Sequence, residues 1–585
     1  MNEIVELKED VSGSPLYSED LAPVPPEKRT WSKWDLAAIW VGMAVCIPTY
    51  LLASYMIKNG LSWVEALCII ILGNLIITVP MVLNGHAGVK YGVPFPVIGR
   101  ASFGVNGIHI ASVVRGLVAC GWFGIQTWIG GLAIYAIFNA ITGAEGATGL
   151  DAGKFVGFAI FWMINMIFIW RGTESIKWLE EFAAPILIAI GVGLIIWGAT
   201  QAKGFAIVLK QSDQLAKQTA VISESENINA ATLNLYPIVN KDGSQKAREY
   251  KIYYPTADGE SETNWLPVGR GITDLPVIEY PRIDLSAIQA DPANLSVQFR
   301  RPSADGYSVS SKVGAVFPAP PPTFGSRIMT YLLWLTAMVG FWATMAISIA
   351  DITRYTNKQK NQVQGQFIGL PGTMALYSFV GIFVTCAAVI NFDDILVGAD
   401  APWDPVTLLG KFSQPAVVIV AQIFMIIATL STNIAANVIA PANAFSNIAP
   451  KHISFRTGGL ITAILGIIIC PWWLMDEISG FLIFVSGFLG PVLAILICDY
   501  FIIRKKSVDL AGLFKPQGIY SFGGSGFSKA GMVALTGGVI VALVGLKVES
   551  LAFLYNLSWF TGFAVAFLIY WLMMRRHPSL LAEQP

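Results

Sequence analysis

At residues 40–50 the chain reads WVGMAVCIPTY, which places a proline in the middle of its first long apolar run. Pro48 has no backbone N–H, so a helix that passes through it leaves a main-chain carbonyl without its usual partner. Inside a membrane, such free main chain is tolerated where it faces protein or a cavity. A simple proline kink is the more frequent explanation of this pattern, so the rest of the chain must decide between the two.

The composition around this stretch indicates a protein with many membrane spans. Of 585 residues, 54% are hydrophobic and 13% are charged, whereas soluble chains carry roughly 25% charged residues. The apolar runs are about 20 residues long, which is enough to cross about 30 Å of hydrocarbon as a helix. We predict twelve spans, at residues 35–57, 62–84, 107–139, 153–171, 178–200, 328–350, 367–391, 414–440, 456–473, 477–502, 529–546 and 551–574.

The charges predict an orientation. Lysines and arginines cluster in alternate short loops, for example at Lys28, Arg354 and Arg504, while the loop after span 7 is acidic. Positive residues near span ends stay cytoplasmic, so we place both termini in the cytoplasm and the chain in the inner or plasma membrane. The 38 basic and 38 acidic residues cancel, which leaves no net field to attract nucleic acid.

Residues 201–326 interrupt the apolar pattern with polar sequence and alternating, strand-like pieces at 250–254, 275–280 and 295–299. We therefore predict a β-rich extracytoplasmic insertion. The predicted organisation is a tail at 1–34, spans 1–5 at 35–200, the insertion at 201–326, spans 6–10 at 327–502, a cytoplasmic loop at 503–528, spans 11–12 at 529–574 and a tail at 575–585.

Span 3 combines an aromatic plate with an amide. Trp122 and Gln126 are four residues apart and share one helix face. An indole can stack on a flat ring, while the amide offers a donor and an acceptor. Most of the 18 tryptophans are expected at the membrane interfaces. The sequence therefore supports a substrate site at Trp122 and Gln126 about as strongly as an interfacial position for the tryptophan.

Span 8 contains the densest polar cluster of the membrane part. Asn433 and Asn437 share a face, and Ser431 and Thr432 lie three and four residues after Ala428. Hydroxyls with freed carbonyls can form a neutral oxygen cage for sodium. The spacing alone slightly favours helix packing, in which small and hydroxyl residues allow close approach.

Taken together, these stretches resemble the nucleobase:cation symporter-1 family, the family of a bacterial benzyl-hydantoin transporter and of uracil and allantoin permeases. The resemblance is carried by residues 38–50, 90–100, 122–128, 340–351, 431–437, 490–501 and 518–520. It implies an all-α membrane protein with the LeuT-type fold, in which two inverted repeats of five helices are followed by two extra helices.

The resemblance also implies roles for single residues. Trp122 and Trp342 would sandwich the substrate ring, and Gln126 and Asn437 would hydrogen-bond its amide edge. The coupling ion would be Na⁺, held by the carbonyls of Gly42, Val45 and Ala428 and the hydroxyls of Ser431 and Thr432, with H⁺ as the alternative. No other cofactor is implied.

Three differences from the family pattern change these expectations. Cys46 stands where the hydantoin transporter has a substrate-binding glutamine, and Phe341 stands where it has a glycine before the span 6 tryptophan. Both are expected to line a smaller or less polar pocket. The insertion at 201–326 is expected to have no counterpart in the family.

We therefore predict a symporter that imports a small planar heterocycle such as uracil, hydantoin or allantoin across the lipid bilayer. The alternative is a membrane sensor or receptor whose insertion binds a partner. An enzyme is not expected, because the spans contain neither a histidine-rich metal set nor a paired carboxylate.

Overall fold

The computed structural model describes residues 4–576 except 145, 147–148, 172, 203, 225–230, 257–258, 269–281, 285–293, 305, 319–322 and 476–477. Helices dominate both halves of the chain, on either side of a strand-rich segment. The first-half helices are α1 (Lys33–Ala44), α2 (Ile47–Lys58), α3 (Trp63–Tyr91), α4 (Phe95–Ile98), α5 (Arg100–Phe103), α6 (Ile108–Thr142), α7 (Ala152–Arg171), α8 (Thr173–Ala202) and α9 (Phe205–Leu215).

The second half repeats the pattern of long helices separated by short ones. Its helices are α10 (Phe324–Phe341), α11 (Ala343–Ser348), α12 (Ala350–Thr353), α13 (Gln359–Asn391), α14 (Pro405–Gly410), α15 (Pro415–Asn437), α16 (Ile439–Ile448), α17 (Phe455–Ile468), α18 (Pro471–Leu474), α19 (Ile478–Ile497), α20 (Lys529–Leu543), α21 (Ala552–Asn556) and α22 (Ser558–Met574). A π-helical turn, Cys498–Ile503, extends α19.

Within the described residues, eight helical stretches are long and apolar enough to cross a membrane, and three bent pairs could each supply one more. The pairs are α1 with α2, the end of α8 with α9, and the stretch Glu549–Asn556 with α22, bent by 56°, 92° and 85°. The ninth predicted span is the shorter helix α17. Span 1, where a proline kink or an opened helix was expected, and span 12, for which no interruption was expected, are both broken. The count of twelve crossings stays a prediction.

Local sequence signals explain where the long helices begin and end. At the start of α3, Ser62 Oγ accepts from Glu65 N at 3.3 Å and Glu65 Oε2 accepts from Ser62 N at 2.8 Å. This capping box satisfies main-chain donors that the first turn leaves free. The helix ends at Gly92, whose φ of 71° is a left-handed conformation that glycine adopts without steric cost.

The centre of the bundle is α6, which packs against α7, α15, α16 and α17. Its contact with α7 depends on two glycines. A Cβ on Gly131 would lie 2.5 Å from Phe158 N, and one on Gly157 would lie 2.3 Å from Gly131 O. The two backbones are thus in direct contact, a packing mode that small residues permit in membranes.

The strand-rich segment forms two antiparallel sheets. Its strands are β1 (Ala220–Glu224), β2 (Ala231–Leu235), β3 (Glu249–Thr256), β4 (Gly259–Glu262), β5 (Leu266–Pro267), β6 (Arg282–Asp284), β7 (Ser296–Ser303), β8 (Gly306–Val309) and β9 (Val313–Gly314). One sheet has the order β1-β2-β6, and the other has the order β4-β3-β7-β8 with β5 on β3 and β9 on β7.

Two details differ from the sequence expectation for this segment. Strands begin only at Ala220, because α9 continues the helical region to Leu215, well past the expected boundary at 201. The amphipathic sequence of α9 lets it pack on α13 and α2. Two of the expected strands coincide with β3 and β7, whereas the strand expected at 275–280 lies outside the described residues.

The insertion is attached to the end of α13. Its small core includes Leu396 and Val397 from the loop that follows this helix. Lys246, 2% exposed, donates to Val389 O at 2.5 Å and to Phe392 O at 2.8 Å. The carbonyl end of a helix carries partial negative charge, so the buried ammonium is well placed there.

We expect replacement of Lys246 by methionine to loosen the insertion. Two hydrogen bonds from a buried ammonium contribute about 1.5–3 kcal/mol each, so limited proteolysis should cut the variant within the insertion faster than the wild type. Lys251→Met is the matched control, because Lys251 pairs with the exposed Glu262 in the same domain. Equal cleavage rates for the two variants would contradict this role.

The same attachment should depend on pH. Burial lowers the pKa of Lys246 from 10.5 to about 8. Between these values the unfolded chain binds more protons than the folded one, so the contribution of Lys246 to stability rises as pH increases through this window. The difference in proteolysis rate between Lys246→Met and wild type should therefore widen from pH 8 to pH 10.

Candidate functional site

A small cavity lies where two broken helices meet two continuous ones. It is lined by the α1/α2 break, by α6, by the α10/α11 break and by α15. The lining residues are Cys46, Pro48, Trp122, Gln126, Phe341, Trp342, Thr344, Met345, Thr432, Ala436 and Asn437. All six residues expected to bind substrate are thus brought together, although they come from four separate parts of the chain.

Proline chemistry accounts for the first break. Pro48 cannot donate to the carbonyl of Ala44, which accepts instead from Cys46 N at 3.0 Å. The two helices on either side are bent by 56°. The structure therefore has a full break at Val45 and Cys46, where a kink was the more frequent expectation.

The second break lies at the corresponding place in span 6. Helix α10 ends at Phe341, Trp342 has φ −103° and ψ 6°, and α11 begins at Ala343. Discontinuous helices in matching positions of two halves are the typical location of a transporter site.

The aromatic side chains fill most of the space between the breaks. Phe341 lies edge-on to Trp122 at 5.3 Å between ring centroids and edge-on to Trp342 at 5.1 Å. The remaining cavity measures about 20 Å³, close to the size of one water, whereas ligand pockets measure roughly 300–1,000 Å³. A substrate ring can enter only when Phe341 or its helix moves. The expectation of a pocket smaller than in the hydantoin transporter stays a prediction.

Two polar atoms at this cavity have no hydrogen-bonding partner within the described residues. Gln126 Oε1 is an acceptor and Trp342 Nε1 is a donor, and both are buried. A buried polar atom without a partner costs about 1–3 kcal/mol. The cavity therefore offers one acceptor and one donor that a bound molecule can satisfy.

An amide network holds Asn437 in place. Its Nδ2 donates to Asn433 Oδ1 at 3.1 Å, and Asn433 Nδ2 lies 3.1 Å from both Thr127 Oγ1 and Asn165 Oδ1. The network ties α15 to α6 and α7. The spacing of the two span 8 asparagines indicated a shared face, but Thr127 and Asn165 carry no sequence signal for this role.

Two of the expected ion ligands, Thr432 and Gly42, are in direct contact. Thr432 Oγ1 donates to Gly42 O at 3.0 Å and lies 3.4 Å from Met43 O, so α15 contacts the end of α1 through this hydroxyl. Ser431 Oγ is buried without a partner within the described part of the chain. Val45 is non-helical, with φ −79° and ψ 74°, and Ala428 is buried. Ligation of an ion by all five residues stays a prediction.

The donor chemistry at this place is neutral. No group of three or more histidine, cysteine or acidic side chains that could hold a metal occurs among the described residues. A cation bound here would be held by hydroxyl and carbonyl oxygens, which suit a hard monovalent ion.

Two larger openings lie on opposite sides of the cavity. The tail vestibule, about 940 Å³, is lined by residues of the N-terminal tail, by Asp351 and by Ala435 and Ile439 near the end of α15. The opposite vestibule, about 770 Å³, is lined by Pro415 and Val418 at the start of α15. The small cavity, lined by Thr432, Ala436 and Asn437, therefore lies between the two vestibules along α15.

The chain is similar to known membrane permeases along most of its length. Residues 23–234 and 307–569 match the family described as permeases for cytosine/purines, uracil, thiamine and allantoin. The ends of the insertion thus have counterparts in the family, and the expectation that none of 201–326 does is wrong. Within the insertion, residues 235–306 lie outside the two segments that the family model matches.

Individual relatives agree with this match. The chain is 32% identical to an allantoin permease of Bacillus subtilis, covering 96% of this chain and 94% of the relative. It is 30% identical to a purine-uracil permease of Arabidopsis thaliana, covering 96% and 78%. In structure it is similar to a nucleobase-cation-symport-1 family transporter, MHP1, in a closed conformation with bromovinylhydantoin bound, with a TM-score of 0.64, 22% identity and coverage of 97% and 98%. This last similarity shows the LeuT-type fold.

Proposed function

Because the chain belongs to the permease family for cytosine/purines, uracil, thiamine and allantoin, we propose that it imports a small planar cyclic amide or ureide, such as allantoin, uracil or a hydantoin, together with Na⁺. The family consists of transporters and not of enzymes. The observation that carries the proposal is the small cavity between two helix breaks, where one buried donor and one buried acceptor have no partner within the described residues.

The free atoms suit the edge of such a ring. A cyclic amide presents N–H and C=O groups side by side, so the N–H can donate to Gln126 Oε1 and the C=O can accept from Trp342 Nε1. Trp122 and Phe341 supply apolar ring surface next to these atoms. Asn437, held by Asn433, offers further polar contacts. Cys46 narrows the cavity on the span 1 side.

The arrangement supports alternating access. The cavity lies between the two vestibules, and each break offers a place where one half of a span can move without the other. We place the tail vestibule in the cytoplasm of a plasma-membrane protein, because the positively charged short loops lie on the side of the termini.

Sodium would link this movement to substrate. A cation held by Thr432, Ser431 and the carbonyl of Gly42 would join α15 to the end of α1, next to the substrate cavity. If the ion and the ring both favour the same closed state, each raises the affinity for the other. Protons are the alternative, and the experiment below separates the two.

The test is uptake of radiolabelled allantoin into proteoliposomes that contain the purified chain. Uracil, hydantoin, adenine, cytosine and thiamine serve as unlabelled competitors, with protein-free liposomes as control. We expect saturable uptake that uracil or hydantoin reduces and that falls about tenfold or more when Na⁺ is replaced by choline. Uptake that instead depends on a pH gradient would assign protons.

If none of these rings is transported or competes, the proposed substrate class is wrong. The receptor alternative has no support from the similar proteins, which are permeases.

A further inference from the structure

One charged side chain lies fully buried directly beside the candidate cavity and has no role in the site described so far. Arg115 is 0% exposed and precedes Trp122 by about two turns of α6. An arginine inside a membrane span is costly and generally marks a functional position. Its contacts indicate what that function is.

The guanidinium binds main chain from two cavity walls. Arg115 Nε lies 3.4 Å from Thr344 O and donates to Ser348 Oγ at 3.1 Å, and Nη2 lies 3.4 Å from Ala436 O. Thr344 and Ala436 both line the cavity. Thr344 follows Trp342 by two residues, and Ala436 directly precedes Asn437.

The segment that Arg115 binds leads to the tail vestibule, which Asp351 reaches three residues after Ser348. Asp351, 1% exposed, lines this vestibule, and its Oδ1 accepts from Asn443 Nδ2 at 2.8 Å. Asp351 Oδ2 and Arg115 Nη1 are both buried without a partner within the described residues. Through Ser348, Arg115 thus binds the segment that separates the cavity-lining Thr344 from the vestibule-lining Asp351.

We propose that Arg115 is a positioning residue that holds the helix break at Trp342 and the end of α15 at Asn437 together, and thereby keeps the cavity closed toward the tail vestibule. The inference rests on the proposed function only where its test measures substrate binding. A planar fork with several donors can bind oxygens of α11 and α15 simultaneously, which a lysine ammonium does less well.

The experiment compares Arg115→Met and Arg115→Lys with a matched control. Arg100→Met is that control, because Arg100 is also 0% exposed but donates to Leu513 O, Leu16 O and Asn447 Oδ1, and none of these residues lines the cavity or the tail vestibule. In purified protein, we expect Arg115→Met to weaken allantoin binding about tenfold or more. Arg115→Lys should weaken it less, and Arg100→Met should leave it unchanged.

A second readout needs no substrate. Ile439→Cys places a thiol in the tail vestibule, and its labelling by a maleimide is measured in membranes in each background, with the parent cysteines subtracted. We expect labelling to become several-fold faster with Arg115→Met, intermediate with Arg115→Lys and unchanged with Arg100→Met. If wild type binds no ring, the proposed substrate class fails while this readout still tests Arg115. Wild-type labelling rates in both Arg115 variants would overturn the inference.

Discussion

Replacement of Trp122 by alanine is expected to abolish substrate binding at micromolar concentrations and to abolish uptake. The indole is 6% exposed, lines the cavity and contacts Phe341 at 5.3 Å between ring centroids. A buried tryptophan at the centre of a binding site typically contributes at least about 2 kcal/mol, roughly 30-fold in Kd. The measurement is equilibrium binding of labelled allantoin to purified protein.

Trp128→Ala is the matched control for this variant. Trp128 lies on the same helix, is 4% exposed, and packs on Phe155, Phe158 and Trp472 away from the cavity. It should lose thermal stability and keep its affinity. Equal losses of affinity in the two variants would show that Trp122 acts through packing alone, and unchanged affinity in Trp122→Ala would remove it from the site.

Replacement of Thr432 by valine is expected to raise the Na⁺ concentration needed for half-maximal uptake by about tenfold or more. Valine keeps the shape of the side chain and removes the oxygen that lies 3.0 Å from Gly42 O. Even outer partners of a bound metal ion contribute about 10–100-fold to its affinity, so loss of a direct ligand should cost at least as much. Reciprocity requires that the variant also binds substrate more weakly at a fixed Na⁺ concentration.

Thr78→Val serves as the control for a lost buried hydroxyl. Thr78 is 0% exposed, and its Oγ1 donates to Asn74 O within α3 at 2.6 Å. Its Na⁺ dependence should equal that of the wild type. If Thr432→Val and Thr78→Val behave alike, sodium does not bind at Thr432, and a proton-driven mechanism becomes the better account.

Much of the candidate site follows from local patterns. Trp122 with Gln126, and Asn433 with Asn437, could be grouped from their spacing of four, because residues four apart share a helix face. The role of Trp342 came from the family resemblance, whereas Ser431 and Thr432 were already candidate sodium ligands from their spacing to Ala428. The structure places all of these residues on or next to one cavity.

Other features of the site were indicated by the local sequence only in part or not at all. Pro48 indicated a disturbed helix but not whether the chain bends or breaks there, because that depends on what the neighbouring helices offer the freed carbonyls. Arg115 places a charge inside a predicted span. The carbonyls that accept its hydrogen bonds, at Thr344 and Ala436, lie more than 200 residues away along the chain. Thr127 and Asn165 also bind Asn433 from distant parts of the chain.

The sequence by itself determined that this is a membrane protein of many spans, where those spans begin to within several residues, and that a strand-rich segment separates two helical halves. These properties depend on hydrophobicity, charge and residue spacing, which act over a few turns of chain. The tertiary structure alone decided that the spans break at Cys46 and Trp342, that Phe341 closes the cavity, and that Lys246 attaches the insertion to α13. Those outcomes depend on contacts between segments far apart in the chain, whose free energy is settled only when the helices pack together.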